Sequence, residues 1–385
     1  MPFTEYINLS TSLGIMVSRE ASQSSWRRNI RKGNTTKPSP TGTLFLKDPT
    51  LYGPLFEQSK TIFDADGDDY SAEKRSIQHA FTKKSLLTKE AILTFYVSSA
   101  IEGLESQFRT ADVVDLVPIF GNALFDIMCK LTVDEDLHAI NPNGQHHPAV
   151  YTLTSALEWI YIPVMARHIL GALSYPLEMC ASFVGKGVLH LGPVGPLLSK
   201  RLEKGGSNPD FVSYMKQGKQ EGEASQLQVI NNATSLIAAG TETTVSLMCG
   251  AVYHILSNPP VLLSLCQEIR GAADNASDLN LELIHGMKYL RACLDEAMRM
   301  YPSIVGTLPR VVDGDGAYIC DQFVPPNTVV GVNQWAAYRS NRNFIYPDEF
   351  RPDRWLNVEE GEYNGDRRKA FQPFGYGPRK CIANE

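Results

Sequence analysis

The chain has 385 residues, 43% hydrophobic and 20% charged, with a formal net charge of −6. These proportions are ordinary for a globular protein. They leave no global positive excess to attract nucleic acid, and the length suits one large domain or two to three average ones. The seven cysteines are scattered and never spaced CxxC, which argues against a disulfide framework and a zinc site and fits a reducing, intracellular compartment.

Residues 1–60 are rich in Ser, Thr, Pro and Gly and read as loops with short helices. No apolar run there is long enough for a signal peptide or a membrane anchor. In "DADGDDYSAEKR" (Asp64–Arg75) the glycine and the closing glutamate sit at the wrong offsets for an EF-hand. The stretch reads instead as an acidic turn capping a helix through "SAEKRSIQHAFT". Leu86 to Asp136 is mostly helical by its three- and four-residue apolar spacing. The loop "NPNGQHHP" follows, and its His146 and His147 read as solvated residues rather than ligands. The most apolar region, Leu157–Gly185, is interrupted by Arg167, His168, Pro176 and Glu178. It reads as a core segment or one lying on a membrane surface, not as a span.

Ala224 to Asn258 contains no proline and is stopped by Pro259–Pro260. As one helix it runs roughly 50 Å and, being apolar on more than one side, crosses the core. Further helices follow through "PVLLSLCQEIRGAA" and "GMKYLRACLDEAMRMYP". The stretch "GAYICDQFVPPNTVVGVNQW" reads as a β-hairpin around its Pro-Pro-Asn turn. The fold class is therefore mainly α with a small β-sheet.

Chemistry-bearing residues cluster in the second half. "AGTETT" (Ala239–Thr244) puts a glycine and β-branched residues in the middle of the long helix, where a glycine costs about 1 kcal/mol relative to alanine. One reading is a tolerated kink packed against a neighbour. The other is a local opening that shows a hydroxyl and a carboxylate to a cavity, as proton delivery requires. Glu296 and Arg299 stand at i and i+3 and can pair, as many surface residues do. Arg354, set among prolines and aromatics, is placed to complete a buried Glu–Arg–Arg cluster. The last stretch, "FQPFGYGPRKCIANE", surrounds Cys381 with Gly375, Gly377, Arg379 and Lys380. A thiolate needs such positive surroundings and backbone donors. A nucleophile would want a base, and no histidine lies in the last hundred residues. A thiolate on haem iron remains.

These motifs, in this order, resemble the cytochrome P450 family of haem-thiolate monooxygenases. Phe374, Gly377, Arg379 and Cys381 match its cysteine-loop signature. Ala239–Thr244 match its long-helix signature, Glu296 and Arg299 its Glu-x-x-Arg motif, and Arg354 its later arginine. The likeness runs roughly from Trp26 to the end and looks closest to fungal members that work in secondary metabolism.

The resemblance implies a single monooxygenase domain over 1–385, with 1–60 as a loop-rich amino-terminal remnant. Cys381 would be the axial ligand of haem, with Phe374 beside it and Arg379 and Arg310 on the propionates. Glu242 and Thr243 would be the acid–alcohol pair that relays protons. Glu296, Arg299 and Arg354 would support the scaffold. Tyr70 and Lys74 stand where the family usually has histidine or tryptophan and arginine, and would still donate to a propionate. Ala383 replaces the usual glycine.

The implied substrates are O2 and an apolar small molecule, with electrons from NADPH through a flavoprotein reductase. Arg367, Arg368, Lys369, Arg379 and Lys380 offer that reductase a basic face, or are simply solvated. The family's endoplasmic-reticulum anchor is not seen, and its helix and strands beyond the cysteine are not present. The expectation is a chain truncated at both ends, with a non-catalytic remnant that holds no haem as the rival reading.

Overall fold

The computed structural model describes residues 15–16, 45–52, 60–141, 145–155, 176, 180, 194–204, 210–216, 223–320, 322–356 and 361–384. The apolar stretch Leu157–Gly185 lies outside these apart from two positions, as does most of 1–60. The chain divides into two compact units, one formed by 49–245 and the other by 1–48 with 246–384.

In the first unit, α1 (Gly67–Ile77) is followed by a 3-10 turn at Gln78–Phe81, α2 (Lys83–Leu87), α3 (Glu90–Phe108) and α4 (Leu116–Val133). Asp66 stands at the N-cap of α1 but makes no side-chain cap hydrogen bond. The expected acidic cap works differently. Asp64 turns back and accepts from the N–H and hydroxyl of Thr61 at 2.6 Å, while Asp68 and Asp69 occupy the first helical turn, where negative charge meets the positive end of the helix dipole. Asp115 caps α4 by accepting the Val117 N–H at 3.0 Å. Asp134 ends it in the left-handed conformation at φ 54°, which a short polar side chain tolerates. The side chain of His146 is exposed. His147 is half-buried and accepts the Ala149 N–H on Nδ1, opening the helix that begins at 148.

Next come α5 (Val194–Lys204), α6 (Phe211–Lys216) and α7 (Glu223–Leu256). At 34 residues α7 is about 51 Å long. Its residues to Val245 belong to the first unit and the rest to the second. Among the described residues, α4 and α7 are long and apolar enough to cross a membrane, and α4, with 67% of that stretch buried, is a core helix.

The second unit continues with α8 (Pro259–Ala272), whose prolines fill the first helical positions, where no N–H is missed. After α9 (Leu281–Gly286), α10 (Lys288–Met300) is capped from α8, the Glu268 carboxylate accepting the N–H groups of Tyr289 and Leu290 at 2.8 Å each. Its inner face buries Ala297 and Met300 with Ala251 and Phe350.

The four-stranded sheet has the order β1 (Ile15–Met16), β6 (Val329–Val330), β3 (Arg310–Val312), β2 (Phe45–Lys47), antiparallel except for β1 with β6. A separate hairpin joins β4 (Ala317–Ile319) to β5 (Gln322–Val324). The expected hairpin turn is misplaced. The chain reverses directly after Ile319, with Cys320 at φ 52°. The Pro-Pro-Asn stretch instead carries the chain from one sheet to the other, with Asn327 at φ 61°. Prolines have no N–H for a ladder and suit this exit better than a two-residue reversal. A last helix, α11 (Gln334–Tyr338), leads into irregular chain.

Candidate active site

Cys381 ends a tight turn. Its N–H donates to the Phe374 carbonyl at 2.8 Å, that of Lys380 to Gly377 at 3.0 Å, and that of Gly375 to Gln372 at 2.9 Å. Gly375 and Gly377 sit at φ 73° and 82°. A Cβ at Gly375 would meet nothing within 4 Å, so it is the backbone angle, not space, that requires glycine there. The turn is tied at its start, where the Gln372 N–H donates to the hydroxyl of buried Tyr338 at 3.0 Å. Phe371 packs against the rings of Tyr338 and Trp355. Cys381 itself is exposed, with exposed Lys380 and partly buried Arg379 beside it.

Behind this turn lies a buried ionic cluster. Arg299 makes two bonds of 2.8 Å to Glu296, through Nε and Nη2. Arg354 Nε reaches the same carboxylate at 3.0 Å, and all three side chains are fully buried. A burial this complete is costly unless every group is satisfied. Here the satisfaction comes from residues that the sequence reading missed. Asp366 takes Arg354 Nη1 at 2.6 Å, Trp355 Nε1 donates to Glu296 at 2.9 Å, and the Arg351 N–H does so at 2.9 Å. Arg299 Nη1 also donates to the carbonyls of Tyr338 and Pro347. Through Tyr338 and Trp355 the cluster holds the platform from which the cysteine turn springs.

Arg310 stands on β3, partly buried, with Nη1 donating to the Pro309 carbonyl at 2.9 Å. Of the basic residues expected on one face, Arg367, Lys369 and Lys380 are exposed. Arg368 turns inward and donates to the carbonyls of Arg354 at 2.8 Å and Tyr363 at 3.1 Å, and burial lowers its pKa.

The other unit carries the remaining residues. Tyr70 is buried on α1, and Lys74 Nζ lies 5.9 Å from its ring centre. On α7 the helix stays regular through Ala239–Thr244, so of the two readings neither a kink nor a local opening is seen, while the packing against a neighbour is. The hydroxyls of Thr241 and Thr243 donate to the carbonyls one turn back, Ile237 at 2.8 Å and Ala239 at 2.6 Å. Gly240 has a packing reason: a Cβ there would meet Met128 Sδ and Cε at 2.6 Å. Even so, Ala239 is exposed while Ile237, Ala238 and Thr241 are buried. Exposed Ala239 and partly buried Thr243 lie one turn apart on this helix, with partly buried Glu242 next to Thr243 in sequence.

An exposed cysteine on a glycine turn above a buried Glu–Arg–Arg cluster, in a mainly helical chain, is the arrangement that the resemblance to haem-thiolate proteins implies. The comparisons agree. The sequence model of the cytochrome P450 family matches residues 45–383. The cytochrome P450 monooxygenase astA of Talaromyces wortmannii is 34% identical over 87% of this chain and 68% of its own length. The monooxygenase astJ of Aspergillus oryzae is 33% identical, covering 89% and 69%, and efuB of Hormonema carpetanum is 33% identical, covering 88% and 68%. The heme domain of cytochrome P450DA shares the fold, with a TM-score of 0.69 at 19% identity over 88% of this chain and 73% of that one. The chain belongs to the cytochrome P450 family and is a monooxygenase of that family.

Family and fold imply haem, with electrons supplied by a redox partner. The residues present fit it: a soft thiol donor stands exposed on a fixed turn, flanked by cationic side chains suited to propionates.

Proposed function

We propose that the chain inserts one oxygen atom from O2 into an apolar small molecule of fungal secondary metabolism, using electrons from NADPH passed by a flavoprotein reductase. When bound, the haem supplies the redox iron and its O–O cleaving chemistry, toward which a thiolate donates electron density. Cys381 holds the iron, and the Phe374 carbonyl fixes the cysteine's backbone. Arg379, Arg310, Lys74 and Tyr70 hold the propionates. Glu242 and Thr243 are the acid–alcohol pair that would deliver protons to dioxygen, and the Thr243 hydroxyl donates to the Ala239 carbonyl at 2.6 Å. Glu296, Arg299 and Arg354 keep the platform rigid. Arg367, Lys369 and Lys380 face the reductase, and the enzyme works at the endoplasmic-reticulum membrane.

The observation that carries this reading is the Cys381 turn, whose left-handed glycines and exposed thiol no packing role explains. The test is the carbon monoxide difference spectrum of the reduced chain expressed with haem supplied. A strongly red-shifted band that Cys381→Ser abolishes, while Cys293→Ser leaves it intact, is expected. A chain with no haem band, or with the band of a neutral ligand, would instead be a helical remnant without the activity.

A further inference from the structure

Glu73 precedes Lys74 on α1 and is only 5% exposed. Its carboxylate accepts side-chain amides from α7, Gln228 Nε2 at 2.6 Å on Oε1 and Asn232 Nδ2 at 2.7 Å on Oε2. Asn232, itself 1% exposed, turns its carbonyl oxygen to the Ile62 N–H at 2.9 Å. Gln228 Nε2 also reaches the Lys60 carbonyl at 3.2 Å. Three side chains therefore join the segment leading into α1, α1 itself and the amino-terminal half of α7.

The composition of α1 explains why a polar clamp is needed. In "GDDYSAEKRSI" only Tyr70, Glu73 and Ile77 are buried. Apolar contact is non-directional, and two apolar side chains give a helix little to fix its rotation about its own axis. Hydrogen bonds are directional, and those to a carboxylate are the strong ones. Successive helix residues point about 100° apart, so a fixed Glu73 fixes the direction of Lys74, and the i, i+3 spacing puts Tyr70 on Glu73's own face.

We propose that Glu73, with Gln228 and Asn232, is a positioning clamp that sets the rotation of α1 and so aims Tyr70 and Lys74 at the haem propionates. This rests on the assignment of Tyr70 and Lys74 made above. The clamp residues do not touch the cofactor; they act through their neighbours.

The test is a double-variant cycle on the haem-loaded chain, read as the rate of haem transfer to excess apomyoglobin. Glu73→Gln sets an amide N–H against one of the two α7 donors while its carbonyl oxygen accepts the other, and Asn232→Asp sets a carboxylate against a carboxylate. In Glu73→Gln/Asn232→Asp the roles exchange: the new amide at 73 donates to the new carboxylate at 232, whose other oxygen keeps the Ile62 N–H, and only the Asn232 Nδ2 bond to the Gln228 carbonyl at 3.1 Å is given up.

Each single change is expected to speed haem loss about tenfold, and the pair to restore it to within about threefold. In a Lys74→Ala background, Glu73→Gln is expected to add less than about twofold, because the residue it aims is gone. Full acceleration in that background, or no rescue by the pair, overturns the clamp as a positioning device. Loss accelerated by Lys74→Ala but not by Glu73→Gln overturns the clamp alone. Loss unchanged by Lys74→Ala, or a chain that takes up no haem, overturns the assignment of Lys74 and the clamp with it. A melting curve of each variant without haem separates the arms further, since the paired variant is expected to recover the midpoint that either single change lowers.

Discussion

Cys129 and Cys293 differ from exposed Cys381 in their surroundings. Both are buried, and burial pushes the Cys293 thiol up to about 12 and that of Cys129 higher still, so neither is a thiolate at neutral pH. Another titrating residue is set by its surroundings in a way that can be measured. His254 stacks on Phe350 at 5.0 Å with the rings nearly parallel, and burial, then the charge of Arg339, lowers its pKa below the ordinary 6.5. The folded protein therefore holds His254 neutral while the unfolded chain takes up its proton near pH 6.5. Stability from this residue is fully present above that pH, falls as pH drops through it, and levels off below the folded value. Urea midpoints at about pH 7.5 and pH 5.5 are expected to differ less in His254→Phe than in the unaltered chain. An equal difference would show that the titration lies elsewhere. At this scale the motif residues were legible because their chemistry requires fixed local spacing. Asp366 and Trp355 were not, since nothing periodic marks a residue that meets Glu296 or Arg354 only through folding.

Among elements, α10 and the irregular chain after α11 depend on one carboxylate. Glu296 accepts from Arg299, Arg354, Trp355 and the Arg351 N–H, so removing it takes away the carboxylate that pairs with buried Arg299 and one of the two that pair with buried Arg354, which keeps Asp366. Glu296→Ala is expected to cost about 3–5 kcal/mol in urea unfolding, and Trp355→Phe only about 1 kcal/mol, because the carboxylate keeps its other donors. Similar losses from the two changes would mean that the cluster shares its load differently. The long helix was readable from its missing prolines and its Pro-Pro stop. Its interior was not, because whether Gly240 opens a helix or admits a neighbour depends on Met128, on another helix altogether. The hairpin illustrates the same limit: Pro-Pro-Asn looked like the reversal, yet the strand order is decided by the pairing of β6 with β3.

For the molecule as a whole, the net charge of −6 conceals an exposed basic trio, Arg367, Lys369 and Lys380, near the cysteine in sequence. An acidic reductase would feel these charges over about 30 Å at 0.01 M salt but only about 8 Å at physiological ionic strength. Lys369→Glu is expected to raise the KM for reductase several-fold at low salt and to lose most of that effect at high salt. Arg368→Gln, whose side chain faces inward, is expected to lower the unfolding midpoint and leave that salt dependence unchanged. A Lys369→Glu enzyme reduced at the normal rate at low salt would remove the trio from the docking face. The mainly helical class was visible in periodicity, whereas the four-stranded sheet was not, since its strands are two or three residues long and come from opposite ends of the chain.

Phe45 and Leu46 pair with Val312 and Val311, so β2 leaves the ribosome roughly 260 residues before its partner exists. At about 5–20 residues per second the strand waits on the order of 10 to 50 s. Throughout that interval its unpaired edge and the Phe45 ring are open to any other nascent strand. The sheet closes only once Arg310–Val312 and Val329–Val330 have been made, which makes production of this protein sensitive to translation speed and to chaperones that shield its early residues.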